Sequence, residues 1–277
     1  MDQRIGPRHP TRRALLGIGA TGLAVAGLSG WLEGAQDGDG GVRDVKRKGT
    51  ATDGRLQARP GRSRGAAPVG LQALGLGRGR DGLLYVPARD RPERPAPLVL
   101  MLHGAGGNAE GGLAPWRGLA DEAGLILLAP EARGRTWDVI LGGFGPDVEF
   151  IDRALATVFG RYAVDPGRVA IEGFSDGASY ALSLGATNGD LFTHLIGFAP
   201  GFLAPGEPVG RPRAFVAHGT DDRVLPINSC SRRLVPRLQR SGYDVHYREF
   251  DGPHTVPPAI AREALDWFLP GRSQEAS

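Results

Sequence analysis

Residues 168–177 read Arg168-Val169-Ala170-Ile171-Glu172-Gly173-Phe174-Ser175-Asp176-Gly177, and Ala178-Ser179-Tyr180-Ala181-Leu182-Ser183-Leu184 follows directly. A short apolar run thus passes through Gly-x-Ser-x-Gly into a stretch with helical character. Between a strand and a helix this pentapeptide forms a turn so sharp that glycine is needed two residues either side of the serine. The turn pushes the serine hydroxyl out at the carboxyl end of a parallel sheet, as a nucleophile elbow. The chain holds 44 glycines in 277 residues, so the pentapeptide alone is weak. The strand before it and the helix after it carry the reading.

An elbow of this kind expects its partners downstream, the acid first and the histidine last. After Ser175 comes Ala214-Phe215-Val216-Ala217-His218-Gly219-Thr220-Asp221-Asp222-Arg223-Val224-Leu225-Pro226, a short apolar strand ending in a polar loop. Later, the strand-like Val245–Phe250 leads into Asp251-Gly252-Pro253-His254-Thr255-Val256-Pro257. Both loops fall on the sheet edge that carries the elbow, where open α/β sheets gather their chemistry. Serine needs a base, and an imidazole titrating near neutral pH suits that task. A carboxylate behind the imidazole selects its tautomer and stabilises the imidazolium. Ser175, His254 and Asp222 are the expected triad. Asp221 is the competing carboxylate, expected to stabilise the loop or face solvent. Of the other histidines, His9 lies near the start of the chain, His103 and His218 precede turns, His194 opens a strand, and His246 lies within one.

A second signature precedes the elbow. Leu98-Val99-Leu100-Met101-Leu102 reads as a buried strand and ends in His103-Gly104-Ala105-Gly106-Gly107-Asn108. The expected oxyanion hole combines the backbone N–H of Asp176 with that of Ala105. The Asp176 side chain is not needed for this role and is expected to face solvent.

These four motifs together resemble the phospholipase/carboxylesterase family of α/β-hydrolases. Tyr162-Ala163-Val164-Asp165-Pro166-Gly167-Arg168-Val169 is also similar to poly(3-hydroxybutyrate) depolymerase-like and feruloyl-esterase-like enzymes. The likeness spans roughly residues 70–270. It implies an eight-stranded sheet and a serine carboxylesterase that needs no cofactor. The family's H-G-x-x-D-x-x-V-P block places its acid on Asp222, with Leu225 where the valine would stand. Many relatives carry Gln or Ala after the nucleophile, where this chain has Asp176, and that departure bears on the substrate.

Strand and helix patterns alternate from residue 69 to about 272, indicating one α/β domain with a mostly parallel sheet and helices on both faces. Leu71 to Pro87 reads as an antiparallel edge hairpin, and residues 110–123 as one helix. The interval between Ser175 and Asp222 leaves no room for a large cap, so an open, shallow cleft is expected, suited to a small-molecule or polymeric ester. Trp137, Asp138 and Phe144 follow the strand ending at Pro130 and are candidate pocket residues; packing of their own loop is the other reading. Cys230 is the lone cysteine, and no cluster has metal-ligand spacing.

The first 32 residues read as an export signal. Arg12-Arg13 precede an apolar run to about Leu28, with Ala24-Val25-Ala26 a candidate cleavage site, and paired arginines suggest the twin-arginine route to a periplasmic or secreted location. The run is short for a membrane span, so no lasting membrane insertion is expected. Residues 33–68 are rich in Gly, Arg, Asp and Pro and read as a disordered linker. Residues 1–80 hold 14 basic and 6 acidic side chains, whereas 81–277 hold 19 and 24. The basic balance therefore belongs to the leader and linker, and no nucleic-acid partner is expected.

Overall fold

A computed structural model describes residues 50–62, 67–88 and 94–270. The expected export signal (1–32) and the linker up to residue 49 lie outside the described residues.

Eight strands form one sheet in the order β1-β2-β4-β3-β5-β6-β7-β8. They are β1 (Gly70–Ala73), β2 (Gly82–Val86), β3 (Ala96–Leu102), β4 (Ile126–Pro130), β5 (Val164–Phe174), β6 (His194–Phe198), β7 (Arg213–Gly219) and β8 (Val245–Phe250). β1 and β2 form the expected antiparallel edge, and β2 runs antiparallel to β4. From β4 through β8 every pairing is parallel. Every residue of β3 and β4 is buried, which is why these strands are continuous apolar runs rather than alternating ones.

Six helices cover the two faces: α1 (Ala109–Leu113), α2 (Ala120–Ala123), α3 (Pro146–Arg161), α4 (Asp176–Thr187), α5 (Ser231–Arg240) and α6 (Pro258–Phe268). Leu155, Val158, Leu184, Leu234 and Leu238, from α3, α4 and α5, join one core cluster. Leu113, Ala120, Ile260 and Leu265, from α1, α2 and α6, join the cluster on the opposite face. The single helix expected over 110–123 is instead two short ones. Pro115 interrupts the backbone ladder, and Trp116 is drawn into the core, where its indole N–H donates to the Ala261 carbonyl at 3.0 Å.

The expected disordered linker needs correction over its described part. Residues 50–62 form a strap fastened to the domain. A capping box at Thr50 closes a 3-10 turn over Ala51–Asp53. Leu56 is then fully buried in the core, its N–H donating to Asn188 Oδ1 at 2.9 Å. The Gln57 and Ala58 N–H groups donate to Asp152 Oδ1 at 2.7 and 2.8 Å. The Arg55 and Arg59 guanidinium groups both grip Asp190. One leucine and two arginines find partners more than 130 residues away, which composition does not reveal.

Candidate active site

The elbow is built by steric exclusion. Ser175 has φ 58° and ψ −122°, a left-handed conformation that non-glycine residues rarely adopt. A Cβ on Gly173 would run into the Gly177 carbonyl, and one on Gly177 into the Leu102 carbonyl, so both positions require glycine. The Ser175 N–H donates to the Phe198 carbonyl of the neighbouring strand at 2.9 Å, which ties the strained residue to the sheet.

Three distant side chains meet at this turn. The Ser175 hydroxyl lies 2.9 Å from His254 Nε2, and His254 Nδ1 lies 2.6 Å from Asp222 Oδ2. Asp222 Oδ1 accepts the N–H groups of Val224 and Leu225 at 2.8 Å each. Burial alone would raise the Asp222 pKa, but the Leu225 N–H, the His254 imidazole and the Val224 N–H outweigh it and hold it below the ordinary value. The carboxylate is therefore an acceptor, so His254 donates through Nδ1 and presents Nε2 as the acceptor of the serine proton. Asp221 points elsewhere: it is exposed, and its N–H donates to the Gly252 carbonyl at 3.0 Å.

Two backbone N–H groups are the candidate oxyanion donors. Asp176 opens α4, and its N–H belongs to a first helical turn that lacks an intrahelical acceptor. Ala105 lies in the loop after β3, exposed, and among the described residues its N–H has no backbone acceptor. The Asp176 side chain does not simply face solvent. Its Oδ2 accepts the Thr136 hydroxyl at 2.7 Å.

Of the candidate pocket residues, Trp137 is too deeply buried to meet a substrate, while the half-buried Asp138 and Phe144 make contacts that hold their own loop. Trp137 is fully buried, its indole N–H donating to the His103 carbonyl at 2.8 Å and its ring stacked 5.1 Å from that of Tyr180. Phe144 meets Tyr180 edge-on at 5.9 Å and also packs on Gly54 of the strap. Asp138 Oδ2 accepts the N–H groups of Gly145 and Asp147 at 2.8 and 2.9 Å. Burial, with the neighbouring Asp138 charge, pushes Asp147 up to about 6. The two rings hold the loop between β4 and α3 by packing on Tyr180, and Asp138 holds it by accepting two of its backbone N–H groups.

Two histidines that sequence reading set aside prove to be structural supports of the site. His218 is fully buried: Nε2 donates to the Leu225 carbonyl at 2.8 Å and lies 3.1 Å from Asp222 Oδ2, while Nδ1 accepts the Ser231 hydroxyl at 2.7 Å. Burial lowers its pKa, which keeps the ring neutral and this tautomer in place. His103 donates through Nδ1 to the Gly104 carbonyl at 2.7 Å and accepts the Ala132 N–H at Nε2, 3.1 Å away. Burial lowers its pKa too. The signal for both was the His-Gly pair at a strand end, where an imidazole can hold neighbouring loops through both ring nitrogens.

A ladder of hydroxyls runs along α4. Ser179, Ser183 and Thr187 recur every four residues on α4 and accept the N–H groups of Gly201, Ala204 and Gly206 at 2.9, 2.9 and 3.0 Å. The loop after β6 is thereby held against the helix that the serine opens.

No family model matches the chain. Over 133 residues it is 32% identical to the poly(3-hydroxybutyrate) depolymerase of Ralstonia pickettii, a match covering 40% of this chain and 27% of that protein. Over 158 residues it is 28% identical to feruloyl esterase C of Emericella nidulans, covering 54% and 57%. The matched part is thus less than two thirds of either relative. Among solved structures, a thermostable esterase superposes with a TM-score of 0.61 at 22% identity, covering 72% of this chain and 62% of that one. With its strand order and its elbow at the end of β5, the chain has the α/β-hydrolase fold and is similar in sequence to hydrolases of carboxylic esters.

Proposed function

We propose that the chain is a serine carboxylesterase working through an acyl-enzyme, with Ser175 as nucleophile, His254 as base and Asp222 as its orienting carboxylate. The observation that carries this reading is the continuous hydrogen-bonded path from Ser175 Oγ through both ring nitrogens of His254 to Asp222 Oδ2, at 2.9 and 2.6 Å. Ser175 Oγ attacks the ester carbonyl carbon as its proton passes to His254 Nε2. The carbonyl oxygen becomes an oxyanion facing the N–H groups of Ala105 and Asp176. Collapse of this intermediate breaks the bond to the alcohol oxygen, which leaves with the proton from His254. Water then attacks the acyl group, His254 takes its proton and returns it to Ser175 Oγ, and the carboxylic acid departs. Every proton is accounted for within the triad and water, and no cofactor enters.

The substrate reading is an ester with a small acyl part, presented as a small molecule or at a polymer end. The named relatives support polyester depolymerase or feruloyl esterase activity as the narrower alternative. A silent binding protein is disfavoured, because binding imposes no need for the strained Ser175. Export by the twin-arginine route belongs to the proposal as well. It rests on Arg12-Arg13 and the apolar run behind them, outside the described residues, and among the described residues no helix is long and apolar enough to cross a membrane.

The test is a burst of p-nitrophenol from p-nitrophenyl acetate together with covalent labelling of Ser175 by an organophosphonate, read by intact mass. Ser175→Ala should abolish both. Turnover retained in that variant would overturn the proposal. Release of soluble product from polyhydroxybutyrate or from feruloylated sugar would select the narrower alternative.

A further inference from the structure

The stretch 132–137 touches both halves of the proposed oxyanion hole. On one side the Gly106 N–H, next to Ala105, donates to the Arg135 carbonyl at 2.6 Å. On the other, the Thr136 hydroxyl donates to the carboxylate of Asp176, whose own N–H is the second donor, at 2.7 Å. Behind these contacts the segment is anchored at both ends. The Ala132 N–H donates to His103 Nε2, and the Trp137 indole N–H donates to the His103 carbonyl. His103 in turn begins the loop that carries Ala105.

This arrangement matters because the two donors belong to different elements, the loop after β3 and the first turn of α4. An oxyanion is stabilised only when both N–H groups reach it within ordinary hydrogen-bond distance, and a shift of a few tenths of an ångström weakens one of them. Residues 135 and 136 bridge those elements directly above the sheet edge. Asp176 is well suited to the bridge. Its carboxylate and its backbone N–H stand on the same Cα, so tethering the side chain to Thr136 also restrains the start of the helix.

We propose that Thr136 is a positioning residue that acts through the Asp176 carboxylate to keep the Ala105 and Asp176 N–H groups at the separation a developing oxyanion requires. The inference rests on the esterase reading above and adds a role to residues outside the triad. It predicts a loss in turnover rather than in ground-state binding, since the hole engages the transition state more strongly than the substrate.

The experiment compares wild type, Thr136→Val, Thr136→Ser, Asp176→Ala and the Thr136→Val/Asp176→Ala double variant on p-nitrophenyl acetate, with melting temperatures measured in parallel. Deleting an oxyanion donor outright costs about 10²–10³ in kcat, so displacing one should cost roughly tenfold. Thr136→Val should lower kcat by that factor while KM stays within about twofold, and Thr136→Ser, which keeps the hydroxyl, should restore most of the loss. The double variant should be no slower than the worse single one, because both remove the same bond. Asp176→Ala breaks that bond without altering the loop, so it reports even if Thr136→Val folds poorly. A Thr136→Val kcat equal to wild type, a loss that serine does not restore, or single effects that multiply in the double variant would each overturn the positioning role. Failure of the esterase reading is distinct: it appears as a wild type that neither turns over the ester nor is labelled, or as turnover that survives in Ser175→Ala.

Discussion

Glu172 lies three residues before Ser175 and is 1% exposed. Its strand neighbours are Met101 on β3 and Ile196 on β6, and it shares a sheet face with Ala170 of the second core cluster. Among the described residues, neither carboxyl oxygen has a hydrogen-bond partner. Burial raises its pKa well above the ordinary 4.5. The folded chain therefore keeps a proton that the unfolded chain releases above pH 4.5, and stability falls as pH rises beyond that point. The slope for one proton is about 1.4 kcal/mol per pH unit. It continues until pH passes the folded pKa, so the loss between pH 5 and 7 reaches about 3 kcal/mol when the carboxyl stays protonated throughout. Glu172→Gln keeps the shape and removes the titration. Urea midpoints at pH 5, 6 and 7 should then separate, with the variant gaining on the wild type as pH rises, by at most about 1.4 kcal/mol per pH unit. Glu172→Leu should in addition relieve the unpaired polar group, by about 1–3 kcal/mol at every pH. Parallel pH profiles for wild type and Glu172→Gln would refute the reasoning, since they would mean that the carboxyl is ionised and partnered in the fold.

The strap should prove part of the domain: a chain starting at residue 63 loses buried Leu56 and its hydrogen bonds, and should melt about 5–15 °C below one starting at residue 47. Equal melting temperatures would show that residues 50–62 contribute nothing. His218→Leu strips the Leu225 carbonyl and the Ser231 hydroxyl of their partner at the loop that presents Asp222, so it should cost about 1–3 kcal/mol in denaturant and lower kcat as well. A variant destabilised in denaturant but with wild-type kcat would show that His218 supports the fold without supporting the acid.

Much of the fold was legible because its signals are local. Leu98–Leu102 is continuously apolar since both faces of β3 are covered, and Gly173 is dictated by a clash with the Gly177 carbonyl in its own turn, whereas Gly177 is required by the close approach of the Leu102 carbonyl at the end of β3. Asp222 and His254 could be nominated from chain order and loop position, because each follows a strand that ends on the same sheet edge. The break at Pro115 was written in the sequence too, but the surrounding helical pattern masked it.

What composition and spacing could not determine is whatever depends on a partner far along the chain. Residues 50–62 look like linker until Leu56 meets Asn188 and two arginines meet Asp190. Trp137 and Phe144 look like pocket residues until Tyr180 stacks on the first and meets the second edge-on, and Asp176 looks solvated until Thr136 donates to it. The Gly-x-Ser-x-Gly elbow was readable from sequence because its strand–turn–helix context is local, and Asp222 and His254 could be nominated from their order along the chain. The supports around them were decided only in the tertiary structure, because a buried ring or an engaged carboxylate is defined by neighbours that sequence distance hides.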